Sequence, residues 1–284
     1  METLVQDLRY ALRMLRRAPG FAAVAVLTLA LGIGANTAIF SLLDGLLLRP
    51  LPVRQPEQLV LFGTGSNWGV VSGISRRYDI FSYAQYRYFR EENKFFPGGI
   101  AAFSSWQSPV RVRWNGDPAM AHSKMVSGNY FSTLGVNPAA GRLFTDQDDR
   151  PESAPVAVLS YRYWTSKFNR DPAILGRSLD VNGTPFLIVG VAAPEFSGET
   201  LEADPADLWL PISRYVQVTL SPSLLQEPLS RWLWLIGRAA PGADLNQITA
   251  GLTVQLHQWL QSHEENATTA EARDAIQKAV IRAT

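Results

Sequence analysis

The chain has 284 residues, of which 46% are hydrophobic and 18% are charged, and its formal net charge is +1. A nearly neutral chain exerts no general attraction on nucleic acid, so nucleic acid is not expected as a partner. The absence of cysteine excludes disulfides, thiolate metal sites and a cysteine nucleophile.

Residues 3–17 predict an amphipathic helix, in which a row of leucines at helical spacing runs beside a row of arginines. The residues of these two rows are Leu4, Leu8, Leu12, Leu15, Arg9 and Arg13. An arginine-rich amphipathic helix next to a span usually lies on the inner membrane surface, bound by its leucines and by anionic lipid. Docking of a cytoplasmic partner is the alternative interpretation of the same helix.

Phe21–Leu43 is an apolar stretch without a charged residue. As a helix that rises about 1.5 Å per residue it is about 35 Å long, enough to cross a hydrocarbon core of about 30 Å. A buried core helix normally carries a polar stripe, and the apolar part of a cleaved signal peptide is only about 7–15 residues long. We therefore predict one uncleaved transmembrane helix within residues 21–48.

Basic residues set the predicted orientation, because more arginines precede the apolar stretch than follow it within a similar length. Those before it are Arg9, Arg13, Arg16 and Arg17, and those after it are Arg49 and Arg54. By the positive-inside rule the N-terminus is cytoplasmic and the body of the chain is extracytoplasmic.

Small residues recur at every fourth position of the apolar stretch, at Ala30, Gly34 and Ala38. Such a stripe lets a second helix approach closely, which favours packing against other membrane helices. The alternative is that glycine and alanine are simply common in membrane spans.

The body of the chain predicts short strands interleaved with helices. The strands are expected at 58–63, 100–106, 109–114, 119–126, 156–159, 177–181, 184–191, 208–212 and 231–238. The helices are expected at 82–93, where Ser82 and Gln85 form a capping box, at 160–168, from Asp244 through Trp259, and from Thr268 to Thr284. A short helix or turn is expected at 128–134, and Asn182-Gly183 is a strong hairpin signal. This mixture predicts an α+β fold with mixed sheets.

Signatures of enzymes are absent from the sequence. It contains no phosphate-binding loop and no nucleophile elbow, and its three histidines are not at metal-ligand spacing. The acidic run that begins at Asp146 has Pro151 and Ala157 where a calcium loop needs glycine and glutamate. We therefore predict neither catalysis nor a cofactor.

Longer stretches carry a resemblance to a known family. The N-terminal string DLRYALRMLRRAPGFAAVAVLTLALGIGANTAIFSLLDGLLLRPLP resembles the FtsX-like permeases of ABC-type systems, in particular the duplicated orphan permeases. The body resembles the MacB-like periplasmic core domain over GNYFSTLGVNPAAGRLF, PVAVLSYRYWTSKFNRDPAILGRSLDVNGTPFLIVGVAAPEF, ADLWLPI and RWLWLIGRAAPGADLNQITAGL.

The resemblance implies an inner-membrane permease that transmits ATP-driven motion or drives efflux. It implies as partners a cytoplasmic ABC ATPase on a separate chain, a second permease in a homo- or pseudo-dimer and a periplasmic adaptor, whereas membrane lipid is the partner that the amphipathic helix predicts. It also implies an extracytoplasmic domain with a porter-like part and a smaller inserted α/β part. Three further spans are expected beyond Thr284, so that the chain is a piece of a longer permease.

These expectations divide the chain into four parts: a cytoplasmic helix at 1–20, a transmembrane helix at 21–48, a periplasmic core domain at 49–265 and a helix leading toward further spans at 266–284. The alternative is a singly anchored sensory or ligand-binding module. A concave apolar pocket with convergent polar groups would favour that module. A small-residue packing face in the span and an extended dimer surface would favour the permease.

Overall fold

The computed structural model describes residues 17–43, 53–199, 204–263 and 269–284. It divides into an N-terminal unit, Met1–Pro50, and a larger unit, Leu51–Thr284. The predicted amphipathic helix at 3–17 lies outside the described residues except for Arg17.

The N-terminal unit contains helix α1, Pro19–Leu43. Among the described residues it is the one helix long and apolar enough to cross a membrane, and its apolar window, Pro19–Phe40, is not buried. Two hydroxyls inside it are satisfied by the helix itself, because Thr28 donates to the carbonyl of Val24 and Thr37 to that of Ile33. A helix that is apolar all round needs an apolar surrounding, which a bilayer supplies.

The larger unit begins with a 3₁₀ turn and alternates strands with short helices. Its first half consists of Pro56–Gln58 (3₁₀), β1 Leu59–Leu61, β2 Arg77–Tyr78, α2 Tyr83–Glu91, β3 Ile100–Ser104, β4 Ser108–Trp114, β5 Asp117–Val126, α3 Tyr130–Leu134 and β6 Pro138–Gly141. Its second half consists of β7 Val156–Leu159, α4 Tyr161–Phe168, Pro172–Ile174 (3₁₀), β8 Ser178–Val181, β9 Thr184–Ala192, β10 Leu208–Pro211, Ile212–Arg214 (3₁₀), α5 Tyr215–Thr219, β11 Leu233–Arg238, α6 Leu245–His263, α7 Ala270–Lys278 and β12 Val280–Ile281.

Ten strands form one mixed sheet in the order β1-β11-β3-β5-β10-β7-β9-β8-β4, with β6 paired to β9. Because β4 also pairs with β5, the strands β5, β10, β7, β9, β8 and β4 close into a ring. The pairs β5–β10 and β7–β9 are parallel, and the other pairs of the sheet are antiparallel. The strands β3, β11 and β1 extend from β5. The predicted α+β fold with a mixed sheet is thus confirmed.

Alternate residues of the strands face two separate hydrophobic cores. Leu208 and Leu210 of β10 belong to the larger core, whereas Trp209 between them belongs to the smaller one. The smaller core surrounds α3 and includes Phe103 and Phe131. The short helix α3 is therefore fixed by packing, because five residues are too few for an isolated helix to be stable.

Two local signals are confirmed. Ser82 and Gln85 form a reciprocal capping box at the start of α2. Asn182 and Gly183 adopt positive φ angles of 50° and 88° between β8 and β9, as a two-residue type I′ hairpin requires.

The C-terminal stretch differs from the prediction. The helix expected from Thr268 to Thr284 is capped by Thr269 and ends at Lys278. Val280 and Ile281 then pair in parallel with β2, and the backbones of Thr284 and Leu61 exchange two hydrogen bonds. Extended backbone is favoured there because β2 and the free edge of β1 offer it partners and Ile281 becomes fully buried.

Candidate functional site

The residues predicted to anchor or couple the chain in the cytoplasm lie outside the described residues. They are Leu4, Leu8, Leu12, Leu15, Arg9 and Arg13. Their role stays a prediction.

The predicted helix-packing residues lie on α1. Ala30, Gly34 and Ala38 are exposed, and a Cβ added to Gly34 would meet no other atom within 4 Å. Their spacing places them on one face of α1. The packing role of this face also stays a prediction.

The larger unit holds its first residues against its core through Arg238, at the end of β11. We call residues 53–58 the lead segment, because they begin the described part of this unit. The Nε of Arg238 donates to the Thr133 carbonyl at 2.7 Å, and its Nη1 and Nη2 donate at 3.1 Å to the carbonyls of Gln55 and Leu134. One guanidinium therefore joins the lead segment to the C-terminal end of α3.

Backbone contacts reinforce this junction. The amide of Arg54 donates to the carbonyl of Leu134, and the amide of Ala239 donates to the carbonyl of Gln58. Gly135 ends α3 with a φ of +70°, and a Cβ there would lie 2.6 Å from the Cβ of Arg54. A glycine is needed here both for the left-handed backbone and for the close approach of the lead segment.

Burial lowers the pKa of Arg238, and the neighbouring charge of Arg54 lowers it further. The guanidinium nevertheless remains charged, because the arginine pKa starts far above physiological pH. Its charge strengthens the hydrogen bonds to the carbonyls. It also complements the partial negative charge that a helix C-terminus carries.

The other end of α3 meets a buried ion pair. Lys124 of β5 pairs with Glu199, and their side chains are only 3% and 4% exposed. The Tyr130 hydroxyl donates to the second Glu199 oxygen at 2.5 Å. The Lys124 ammonium also lies 5.4 Å and 5.6 Å from the ring centroids of Phe103 and Trp234. Several partners thus compensate two charges that would be costly to bury alone.

We call this arrangement the α3 junction: Arg238 at the C-terminal end of α3 and the Tyr130–Glu199–Lys124 contacts at its N-terminal end. It links the lead segment to β5 and to the segment that carries Glu199. The sequence analysis did not identify these residues. The sequence did contain a signal for them. Lys124 and Arg238 are charged residues that lie among apolar or small residues near the ends of two predicted strands.

The three carboxylates of the acidic run that begins at Asp146 each have protein partners. Asp146 pairs with Arg90, and Asp148 pairs with Arg142. Asp149 accepts hydrogen bonds from the amides of Gly128 and Ser213. Because each carboxylate has separate partners, they do not converge on one point. Within the part of the chain that the structure describes, no three His, Cys, Asp or Glu side chains could hold a metal ion together.

Comparison with known proteins gives one family match. The model of the MacB-like periplasmic core domain matches residues 22–254. No curated protein matches the chain.

Three solved structures are similar to this chain. The periplasmic region of MacB from Actinobacillus actinomycetemcomitans is 15% identical, with a TM-score of 0.51 over 70% of this chain and 82% of that one. A domain from Porphyromonas gingivalis assigned to a permease is 14% identical, with a TM-score of 0.49 over 75% and 87%. The extracellular domain of the noncanonic ABC-type transporter YknZ from Gram-positive bacteria is 12% identical, with a TM-score of 0.45 over 75% and 96%.

Proposed function

This chain belongs to the family of the MacB-like periplasmic core domain, and we propose that it is the part of an ABC-type permease through which ATP-driven motion reaches an extracytoplasmic domain. The apolar helix α1 and the periplasmic-type domain support a membrane-anchored permease component. The proposal adds to this that the domain transmits motion and that the motion serves efflux.

The observation that carries the proposal is that two segments far apart in the sequence meet at one strand. The lead segment runs directly into β1, and the backbone of Thr284 pairs with Leu61 at the end of β1. Both segments therefore contact one short strand. A displacement of either segment would reach the rest of the domain through β1.

The α3 junction then offers a route into the domain. Arg238 couples the lead segment to one end of α3, and Tyr130 couples the other end to Glu199 and Lys124. Buried, fully partnered polar contacts resist shear better than apolar contacts, which lack a preferred geometry. We infer that displacement of the lead segment moves α3 and, through Glu199, the segment that follows β9.

The proposal includes partners and a location. The energy would come from a cytoplasmic ABC ATPase on a separate chain, met by the helix at 3–17. The face with Ala30, Gly34 and Ala38 would pack against other membrane helices, including those of a second permease in a homo- or pseudo-dimer. The remaining proposed partners are membrane lipid and a periplasmic adaptor. The N-terminus would be cytoplasmic, as the arginine bias indicates, and the membrane would be the cell inner membrane, as the family resemblance implies.

The test is substrate-stimulated ATPase activity of the complete permease reconstituted with its ATPase. We expect Arg238→Gln to abolish stimulation by substrate while basal hydrolysis by the ATPase continues. Arg87→Gln is the matched control, since Arg87 is exposed and pairs only with Glu91 in its own helix among the described residues. Unchanged stimulation in the correctly inserted Arg238 variant would contradict the proposed route.

A further inference from the structure

Two open clefts of about 270 Å³ and 400 Å³ meet on the outer face of the β4–β5 hairpin. They share Arg111, Asn182 and Leu220 as lining residues. We propose that this groove binds a small amphiphilic anion, a molecule with one unbranched apolar chain and a carboxylate or phosphate head.

Two arginines provide the anion-binding half of the groove. Arg111 and Arg113 alternate along β4 and are exposed, so both point to the outer face. Within the described ranges neither guanidinium forms an ion pair or a side-chain hydrogen bond. Asp180 lies opposite Arg113, but its Oδ1 accepts from the amide of Gly183 at 3.1 Å. Two guanidinium groups therefore face the groove, with the Asp180 carboxylate opposite Arg113, and guanidinium geometry suits a carboxylate or phosphate.

Apolar side chains provide the other half. Met120 lies directly opposite Arg111 in the β4–β5 register and is 60% exposed. Leu220 is 65% exposed, and Trp106 and Tyr215 line the wider cleft beside it. Flexible, polarizable methionine adapts to chains of different shape. A strip of this kind next to two guanidinium groups matches a ligand whose head is charged and whose tail is apolar.

The groove is held in shape before any ligand arrives. The Asn182 side chain accepts from the amide of Arg111 at 2.9 Å and donates to the carbonyl of Val218 at 2.6 Å. It thereby ties the β8–β9 turn to both β4 and the end of α5. Leu220 has a φ of 55°, in the left-handed region that favours glycine. This conformation ends α5 and leaves the Leu220 side chain exposed where the two clefts meet.

Charge complementarity selects the occupant. A second copy of this chain docking face to face would bring four unpaired guanidinium groups together, which is unfavourable. A neutral apolar ligand would leave both arginines unused. An anionic head with an apolar tail engages both halves of the groove. This inference does not depend on the proposed transport role, because a groove that binds such a ligand would equally suit the alternative of a sensory or ligand-binding module.

The experiment uses the full chain in phosphatidylcholine nanodiscs, with a polarity-sensitive fluorophore on Ser221→Cys. The chain has no native cysteine, so the label is unique. The ligands are decanoate, decyl phosphate, decyltrimethylammonium and acetate. We expect the fluorophore emission to shift to the blue and to saturate as decanoate or decyl phosphate is added. Comparison of these two ligands shows whether the groove prefers a carboxylate or a phosphate head. Decyltrimethylammonium lacks the negative charge and acetate lacks the long apolar tail. Both should therefore bind at least about tenfold more weakly.

Paired substitutions separate specific binding from partition into lipid. Arg111→Gln with Arg113→Gln should weaken binding of the preferred anion about tenfold or more and should not weaken binding of decyltrimethylammonium, because the lost charges repel that cation. The matched control is Arg76→Gln with Arg77→Gln, which removes the same charge from exposed residues outside both clefts. A label on Thr165→Cys should not respond to the ligands. Equal responses to the anion and the cation, or equal losses in the two double variants, would overturn the proposal.

Discussion

The Nε of Arg238 lies 2.7 Å from the carbonyl oxygen of Thr133, although the two residues are 105 positions apart in the chain. The same guanidinium also reaches the carbonyl of Gln55 in the lead segment. A single side chain therefore joins the lead segment, which runs into β1, to the C-terminal end of α3. The proposed route for transmitted motion depends on this contact.

The turn at Gly183 gives a test of the hairpin between β8 and β9. A Cβ at this position would meet no atom within 4 Å, so the effect of a substitution comes from the φ of +88° alone. We expect Gly183→Val to lower the free energy of unfolding by about 1–2 kcal/mol, measured as a shift of the denaturation midpoint of the full chain. Gly183→Asn is the control and should cost less, since asparagine tolerates the left-handed region. Equal midpoints for the valine variant and the parent would contradict the turn geometry.

Asp149 gives the larger unit a pH-dependent stability. Burial raises the pKa of Asp149 to about 6, against the opposing effect of hydrogen bonds from Ser213 and Gly128 and the charge of Arg90. Tyr83 and Tyr86 of α2 face the same cleft, as does Asp146. Because the pKa in the folded protein lies above the usual value of 3.8, the stabilisation by proton binding is complete below about pH 4 and is lost as the pH rises through about 6.

Asp149→Asn should remove this pH dependence. The variant loses one hydrogen bond at every pH, but it avoids burying a charge at neutral pH. We therefore expect its stability relative to the parent to rise by about 2 kcal/mol between pH 4 and pH 7, after allowance for solvent screening. Urea unfolding at both pH values measures the difference. A relative stability that does not change with pH would show that Asp149 is not the titrating group.

The orientation of the chain can be tested with single cysteines, because the sequence has none of its own. We expect Asn182→Cys to react with an impermeant thiol reagent added outside the inner membrane, and Thr3→Cys to stay protected until the membrane is opened. The physical reason is the excess of arginines before the apolar helix. The reverse labelling pattern would place the large domain in the cytoplasm.

The small-residue face of α1 can be tested in the complete permease. Gly34→Leu should weaken co-purification of the dimer and reduce activity, because it blocks close approach of a second helix. Leu27→Ile is the control, since it keeps the volume and the apolar character of the exposed side chain. Intact assembly and activity in the Gly34 variant would reduce α1 to a simple anchor.

Local chemistry made part of the fold predictable. The capping pair Ser82 and Gln85 and the turn residues Asn182 and Gly183 act within four positions, so the sequence alone places them. The turn at Asn115-Gly116 between β4 and β5 has the same chemistry, with φ angles of 50° and 95°, and was recognisable in the same way.

Long-range contacts account for what the sequence did not reveal. Closure of the ring depends on the parallel pairing of β5 with β10, and no local pattern specifies which strands become neighbours. Lys124 pairs with Glu199, which lies 75 positions further along the chain. The segment after Lys278 has residues that suit either a helix or a strand, and pairing with β2 and with the edge of β1 favours the strand.

The most direct measurement of the central claim is the distance between spin labels at Thr165→Cys in the two copies of the complete permease. Thr165 is exposed on α4, far along the chain from the lead segment. We expect the distance distribution to differ between the nucleotide-free and the ATP-bound states of the reconstituted complex. In the Arg238→Gln variant we expect the distance distribution to be the same in both states, although the complex still hydrolyses ATP. A distribution that does not respond to nucleotide in the parent permease would contradict the claim that this domain receives ATP-driven motion.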